Sequence, residues 1–284
     1  MTITSLQRLH HKSTTRPARI GVWLGTAFMG VAAAYFLLPL VWIAIANTKT
    51  GSQLYNSPMF LPSSLSQFMN NLSFTLTVNH GIYRVWYVNS LLYSSTAAIL
   101  SSLVSFLCGF ALSKYSFRFR RLFSLLVIIA LMLPTAALVV PTFLVLRDMG
   151  LINTRAGVIL PMIMSPLGTY FMRVYLGGAI PDLLLDSARV DGASEWRIIW
   201  RIALPIAFPG MVTVFLLAFV VTWNSYFLPL IILNDSRLFP VVLGLQNFPD
   251  PLMGSFLSVL PVIGLFVFLN RFITSGLLSG GLKM

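Results

Sequence analysis

The sequence predicts an all-α polytopic membrane protein with six transmembrane helices, both chain termini in the cytoplasm, and a cytoplasmic helix-turn-helix segment. Three observations support this fold class. Hydrophobic residues make up 57% of the 284 residues and charged residues only 9%, against roughly 45–50% and about 25% in an average soluble domain. The apolar residues are collected in six long runs, and the basic residues are shared unevenly among the segments that connect these runs.

Each run is apolar on every face and is bounded by charged residues, Gly or Pro. A transmembrane helix needs about 20 apolar residues, whereas the strands of a β-barrel would alternate apolar and polar residues in short segments. The first run is longer than the apolar region of a cleaved signal peptide, which spans about 7–15 residues, so we expect it to remain a membrane helix. The predicted spans are approximately 20–46, 88–112, 122–146, 157–176, 206–233 and 255–278.

The basic residues predict the orientation of these spans. Of the 19 Lys and Arg residues, 14 lie in the N-terminal tail, at the connections after the second and fourth spans, or near the C-terminus. The positive-inside rule places these segments in the cytoplasm. We therefore interpret the net charge of +12 as a topology signal, which makes membrane lipid a partner and predicts no nucleic-acid partner.

The spans divide the chain into segments. We expect a basic cytoplasmic tail (1–19), a first transmembrane helix (20–46), an external loop (47–87), a five-helix core (88–278) and a cytoplasmic C-terminal tail (279–284). Two connections inside the core are long enough to carry a function. They are the cytoplasmic segment 181–205 and the external loop 234–254.

The segment 181–205 is predicted to fold as helix, turn and helix. Pro181 suits the first helical position, Gly192 a left-handed C-terminal stop, Ser194 an N-cap, and Pro205 the end of the second helix. In the second helix, residues at i, i+3, i+4 and i+7 form one apolar face: Trp196, Ile199, Trp200 and Ala203.

Acidic residues indicate what this segment binds. Four of the seven Asp and Glu residues of the chain lie in it, although the cytoplasmic leaflet of a membrane is normally anionic. A basic protein surface is therefore a better partner than lipid. The alternative is an interfacial helix that lies among the lipid headgroups.

The same segment resembles the EAA loop of ABC-importer permeases. Asp186-Ser187-Ala188 stands in place of Glu-Ala-Ala, Asp191-Gly192-Ala193 matches the following Asp-Gly-Ala, and the later positions keep the spacing of the pattern with Ile202, Leu204 and Pro205. Asp186 and Ser187 are conservative departures, and Ile199 stands where an aromatic residue is usual.

Four further motifs extend the resemblance in the same order along the chain. They are Asn89-Ser90, the turn Gly150-Leu151-Ile152-Asn153-Thr154, the Trp-Asn and Pro-Leu signature within 223–230, and the Gly-rich end within 279–283. Together they are most similar to the carbohydrate-uptake branch, and specifically to the shorter permease partner of the maltose-transporter type.

This resemblance implies a multi-pass permease subunit of an ATP-driven importer for a sugar or sugar-like solute in a prokaryotic inner membrane. Its implied partners are a second permease subunit, two ATPase subunits and an extracellular or periplasmic binding protein. The chain has no Gly-x-x-x-x-Gly-Lys-[Ser/Thr] phosphate loop. We therefore expect no catalytic residues and no cofactor in this chain, with ATP and Mg bound by the ATPase partner.

The resemblance also implies roles for individual residues. The helix from Asp182 to Val190 would be seated in a cleft of one ATPase subunit, with Asp186 paired to a basic group there. The loop 234–254 would reach into the binding protein. The predicted ATPase-coupling residues are Asp186, Ser187, Ala188, Asp191, Gly192, Ala193, Leu204 and Pro205.

Neutral polar and aromatic residues in the spans are candidates for the translocation path. Polar groups in hydrocarbon are costly unless they face a partner or a water-filled path, and sugars are commonly held by aromatic faces and neutral hydrogen-bonding groups. The alternative role of such residues is hydrogen bonding between helices. The chosen residues are Asn89, Trp223, Asn224 and Tyr226.

Two other classes of function are possible for a polytopic membrane protein. Ion-coupled secondary transporters of neutral solutes often have internal repeats and carboxylates inside the membrane, and neither is found here. A membrane-embedded enzyme would need chemistry that this chain lacks, because His10, His11 and His80 lie outside the spans without a His-x-x-x-His pair and Cys108 is the single cysteine. No metal site is predicted.

Overall fold

The computed structural model describes residues 19–281, with side chains for residues 21–272. Within this range all regular structure is helical, which confirms the predicted all-α class for the described part of the chain. Residues 1–18 of the predicted N-terminal tail and residues 282–284 of the C-terminal tail lie outside it. The chain divides into two compact units, residues 1–69 and 70–284.

The helices follow one another through both units with short connections. They are α1 (Arg19–Ala46), α2 (Gly51–Asn56), α3 (Leu65–Lys114), α4 (Arg120–Met132), α5 (Val139–Asp148), α6 (Arg155–Ile163), α7 (Pro166–Ala179), α8 (Asp182–Val190), α9 (Glu195–Arg197), α10 (Leu204–Trp223), α11 (Phe227–Ile232), α12 (Val241–Gly244) and α13 (Pro251–Gly281).

Among the described residues, five helical stretches are long and apolar enough to cross a membrane: 21–46, 65–114, 155–179, 195–223 and 251–272. A sixth is added if α4 and the stretch 135–148 count as one span, although these two are bent by 104° at the break between them. Leu133 and Pro134 have extended backbones at this break. Proline removes a helical hydrogen bond and keeps the preceding residue out of the helical region, which explains the bend.

The range predicted as an external loop, 47–87, is largely helical. It contains α2, which begins with a capping box formed by Thr50 and Gln53, and the beginning of α3 at Leu65. A search for uninterrupted apolar runs passes over this part of α3 because Ser, Gln and Asn residues interrupt it. Within α3, residues 78–81 are not helical, and the continuous helix starts again at Ile82.

The second helix of the segment 181–205 does not end at Pro205. Helix α9 passes into a π-helical stretch, Ile198–Ala203, in which the N–H of Leu204 donates to the carbonyl of Ile199, and α10 then begins. Pro205 lies directly after the π-helical stretch, inside the continuous helical stretch 195–223, where it lacks the N–H that would otherwise donate to the preceding turn. The prediction that Pro205 ends a helix is therefore wrong, because the helical stretch 195–223 continues through it.

The π-helical stretch also changes which residues face the core. Ile198 and Ala203, five residues apart, are fully buried, whereas the side chain of Trp196 is 70% exposed. The wider π turn moves the buried face by one position relative to the 3.6-residue period on which the predicted face was based. Ile199 and Trp200 are half-buried as a result.

The core of the second unit joins the end of α3 to α7, α8 and the start of α10. The fully buried members of this core include Phe106 and Phe110 of α3, Met172 and Leu176 of α7, and Leu185 of α8. Small buried residues along α3, including Ser101, Ser105 and Gly109, allow other helices to approach it closely. The segment 181–205 is thus packed against α3, α7 and α10 and is not a free loop.

Candidate functional site

The hairpin formed by residues 181–205 is the first candidate site, and its turn is built by the backbone. Gly192 has a φ of +78°, which confirms the left-handed conformation predicted for it. The N–H of Gly192 donates to the carbonyl of Arg189 at 3.0 Å, and that of Ala193 donates to the carbonyl of Ala188 at 2.9 Å. These two bonds define a Schellman motif, in which a left-handed residue satisfies the last carbonyls of a helix.

Several of the residues predicted to couple to an ATPase have structural roles in this turn and in the helices beside it. Ala188 and Ala193 pack against the buried core as the hydrophobic pair that accompanies a Schellman turn. Ser194 caps the next helix, as predicted, because its side chain accepts from the N–H of Arg197. Leu204 and Pro205 form the first turn of α10.

Charged side chains fix the two helices of the hairpin to each other. Arg189 contacts Asp186 at 2.9 Å and Glu195 at 2.8 Å, so it links α8 to the start of α9. Both carboxylates raise the pKa of Arg189, the hydrogen bond to Glu195 most strongly. Asp186, predicted to pair with a basic group of another protein, is thus engaged within the hairpin itself.

Two residues at the end of α3 hold the hairpin from the side of the membrane helices. The Nζ of Lys114 lies 2.8 Å from a carboxylate oxygen of Asp182, and the hydroxyl of Tyr115 donates to Glu195. The hydrogen bond from Lys114 lowers the pKa of Asp182. Burial, together with Glu195, raises the pKa of Tyr115 to about 12. Neither Lys114 nor Tyr115 is among the predicted site residues.

The outward surface of the hairpin is apolar in places where a solvated helix would be polar. Leu183 is 79% exposed and Val190 is 88% exposed, and these residues lie seven positions apart on one face of α8. Between them, the hydroxyl of Ser187 donates to the carbonyl of Leu183 in its own helix. Asp191 is exposed at the turn. We call Leu183, Ser187 and Val190 the outer face of α8.

Three of the four predicted path residues lie around the break between α10 and α11, and two of these three are exposed or half-buried. Trp223 is buried, stacks on Phe219 and donates from its indole N–H to the carbonyl of Ser258 at 3.1 Å. Asn224 is exposed and donates to the carbonyl of Val220 within its own helix. Tyr226 is half-buried and bonds Gln246.

Asn89, the fourth of these residues, belongs to a row of polar side chains on α3 that holds the segment 234–254. The side chains in this row are buried and follow one face of the helix at intervals of three or four residues. Four of these side chains donate to backbone carbonyls: Tyr83 to Gly254 at 2.9 Å, Trp86 to Ser236 at 2.7 Å, Asn89 to Arg237 at 2.7 Å and to Phe239 at 3.2 Å, and Tyr93 to Leu238 at 2.8 Å. The fifth, Ser90, accepts from the N–H of Val241 at 2.8 Å.

Of this row, only Asn89 is a predicted path residue, and Ser90 enters the sequence analysis only through the motif Asn89-Ser90. The sequence does carry a signal for the row, since Tyr83, Trp86, Asn89 and Tyr93 recur at helical spacing and each bears a hydrogen-bond donor on an otherwise apolar surface. The irregular segment 234–254 has many backbone carbonyls outside regular helices, and such carbonyls need donors when they are buried.

The turn around Asn153 holds the same segment from another side. Asn153 has a φ of +58°, and its side-chain oxygen accepts from the N–H groups of Asn234 and Asp235 at 2.9 and 3.0 Å. Its own N–H donates to the carbonyl of Ile232 at 2.8 Å. A residue in the left-handed region that must also accept two backbone N–H groups is well suited to asparagine.

A family model described as the inner membrane component of binding-protein-dependent transport systems matches residues 101–275. The chain belongs to this family. It is accordingly an inner membrane component of a transport system, as the sequence motifs implied. The matched range includes the whole hairpin, the break after α10 and the segment 234–254.

Individual relatives resemble this inner membrane component over nearly its whole length. The arabinooligosaccharides transport system permease protein AraQ of Halalkalibacterium halodurans is 33% identical, over 92% of this chain and 96% of the relative. The lactose transport system permease protein LacG of Rhizobium radiobacter is 30% identical, over 94% and 98%. These relatives are sugar-transport permeases, which agrees with the predicted family branch.

A solved structure of a bacterial ABC transporter involved in the import of the acidic polysaccharide alginate has the same fold. One of its chains superimposes with a TM-score of 0.76 at 23% sequence identity, over 90% of this chain and 98% of that chain.

Proposed function

We propose that this chain is the permease subunit of an ATP-driven importer for a neutral sugar, and that the hairpin 181–205 couples ATP hydrolysis by a partner to the opening and closing of the path. One observation carries the coupling role. The hairpin is anchored in the membrane-helix core through Leu185 but presents an exposed apolar face at Leu183 and Val190. Such a face on a rigid, anchored element is suited to bind another protein.

The partner that binds the outer face of α8 is an ATPase subunit. With Asp186 paired to Arg189, the outer face of α8 supplies the main contact and the carboxylate of Asp186 holds the hairpin in shape. Asp191 and the turn at Gly192 complete the contact surface. The chain itself carries no catalytic site, and ATP and Mg are bound by two ATPase subunits, which work with a second permease and a binding protein.

The topology that we propose places both termini and the hairpin in the cytoplasm. The bent pair α4 and α5 then counts as one of six spans, and the segment 234–254 lies on the external side. There it faces the binding protein in a fixed conformation, because the row on α3 and the turn at Asn153 hold its backbone. The helical range within 47–87 lies on the same side.

The solute path follows the break after α10, with Asn224 and Tyr226 as contact residues and Asn89 and Trp223 as the buried groups that shape it. Neutral amide, hydroxyl and aromatic groups suit an uncharged solute rich in hydroxyls. The two relatives described above are named for the transport of arabinooligosaccharides and of lactose. These names support a sugar as the transported class.

The contact and shaping roles predict different consequences for two alanine variants. Asn89→Ala removes donors from two carbonyls and should destabilise the purified protein by about 1–3 kcal/mol. Asn224→Ala loses only a bond within its own helix, so it should leave the melting temperature unchanged but weaken uptake. Melting curves and uptake kinetics of both variants check this, and unchanged affinity and rate in Asn224→Ala and Tyr226→Ala would remove these residues from the path.

The whole function is tested by reconstitution. The chain is expressed with the neighbouring ATPase, permease and binding-protein genes, purified, and assayed in liposomes with radiolabelled lactose and arabino-oligosaccharides. We expect the ATPase and second permease to co-purify and uptake to need both ATP and the binding protein. Uptake by this chain alone, driven by an ion gradient, would favour a secondary transporter instead.

A further inference from the structure

We propose that Lys114 and Tyr115, at the end of α3, are positioning residues that make the hairpin and α3 move as one body. This inference rests on the proposed function, because it assigns to α3 the task of carrying the hairpin's movement across the molecule. The two residues are neighbours in the chain, and each binds a different helix of the hairpin.

Lys114 joins three helices at one point. Only 4% of its side chain is exposed, and its Nζ lies 2.8 Å from Asp182, the first residue of α8, and 3.4 Å from the carbonyl of Gly177 near the end of α7. The side chain of Asp182 is 80% exposed, so solvent and salt weaken the ion pair from that side, and the shielded stem of Lys114 with its second partner, the Gly177 carbonyl, completes the attachment. The first helix of the hairpin is therefore fixed to α3 and to α7.

Tyr115 fixes the second helix. Its hydroxyl donates to Glu195, the first residue of α9, and its ring meets that of Phe110 edge-on at 5.5 Å. Glu195 is also bound by Arg189, so a displacement of α8 or of α9 is transmitted to the other helix. The attachment thus reaches both sides of the turn at Gly192.

The end of α3 is itself held against fraying. The guanidinium of Arg120, at the start of α4, donates to the carbonyls of Leu112 at 2.9 Å and Ser113 at 3.2 Å. The last carbonyls of a helix otherwise lack partners. Lys114 and Tyr115 therefore project from a capped helix end.

The other end of the continuous stretch Ile82–Lys114 of α3 holds the segment 234–254 through the row that includes Trp86, Asn89 and Tyr93. Between Ile82 and Lys114 the helix has no residue with a non-helical backbone, and at 1.5 Å per residue this stretch is about 50 Å long. A continuous helix fixed at both ends transmits a displacement from one end to the other. Helix α3 thus links the ATPase contact to the segment that faces the binding protein.

Two conservative variants test the attachment in the complete transporter in liposomes. Lys114→Met keeps the apolar stem and removes the charge, and Tyr115→Phe removes only the hydroxyl. We expect the double variant to keep its subunit composition and basal ATP hydrolysis but to use about five-fold more ATP per solute transported, at the lower end of typical coupling factors between sites. Arg118→Met is the matched control, because Arg118 is exposed and lies over the ring of its neighbour Phe119.

Charge reversal separates positioning from a general structural role. Lys114→Asp combined with Asp182→Lys restores an ion pair of opposite direction, and we expect it to recover part of the coupling that Lys114→Asp alone loses. An unchanged ratio of ATP to solute in the Lys114→Met/Tyr115→Phe double variant and in Tyr115→Phe alone would overturn the proposal.

A cross-linking measurement distinguishes failure of this proposal from failure of the proposed function. Val190→Cys in a Cys108→Ser background carries a photo-crosslinker on the outer face of α8. If the ATPase is captured in both wild-type and double-variant backgrounds while their coupling is equal, the attachment is unimportant and the docking role stands. If the ATPase is captured in neither, the hairpin does not dock, and the basis of this inference fails with the proposed function.

Discussion

Replacement of Gly192 by valine is expected to abolish ATP-driven uptake while the membrane helices remain folded. Gly192 has a φ of +78°, a conformation that costs an L-residue about 1–2 kcal/mol and is least accessible to a β-branched side chain. Relief of this strain would break the two turn bonds to Arg189 and Ala188. The outer face of α8 would then lose the fixed position that the proposed ATPase contact requires, and uptake would fall even where ATP is still hydrolysed.

The effect of the backbone conformation at Gly192 can be separated from steric crowding, because no described atom lies close to the position of an added side chain. A Cβ placed on Gly192 meets no described atom within 4 Å, and the same holds for Gly178, which lies in helix α7 with an ordinary φ. Gly178→Val is therefore the matched control and should transport nearly normally. Gly192→Asn, whose side chain tolerates the left-handed region, should retain more activity than valine. Normal vesicle uptake by Gly192→Val would remove the hairpin from the coupling mechanism.

The features that the sequence could predict are those with a strong local cause. Long apolar runs locate the membrane helices because hydrocarbon demands them. The turn at Gly192 and the cap at Ser194 were predicted correctly, since glycine in the left-handed region and serine at an N-cap satisfy backbone groups within a few residues of themselves.

The features that escaped prediction depend on partners distant in the chain or on a change of helical period. In and beside the π-helical stretch before Pro205, Ile198 is buried while Trp196 is exposed, and an assumed period of 3.6 residues cannot show this. The pairing of Asp186 with Arg189 could have been predicted from the sequence, since residues three apart on a helix are neighbours. The burial of Trp223 could not have been predicted in this way, because it depends on contact with α13, where the carbonyl of Ser258 accepts from its indole N–H.

A large loss of stability is expected from Gly109→Ala, where the backbones of α3 and α7 are in close contact. A Cβ at Gly109 would lie 2.6 Å from the Cβ of Met172, 2.8 Å from the backbone nitrogen of Arg173 and 2.9 Å from the carbonyl carbon of Met172. Two of these three atoms belong to the backbone of α7, so no rotation of a side chain can relieve the contact. The helices α3 and α7 must separate, and overpacking of this kind typically costs about 1–3 kcal/mol.

The same separation should reach the hairpin, because α7 leads directly into α8 and because Lys114 bonds Gly177 and Asp182. We therefore expect Gly109→Ala to lower both the melting temperature of the purified transporter and its uptake per ATP. Gly264→Ala is the matched control, since Gly264 is exposed on α13 with no described atom within 4 Å of an added Cβ. In a helix that exchange is favourable by up to about 1 kcal/mol. A wild-type melting temperature in Gly109→Ala would show that α3 and α7 can separate freely, and a helix pair that separates freely could not hold the hairpin as a rigid lever.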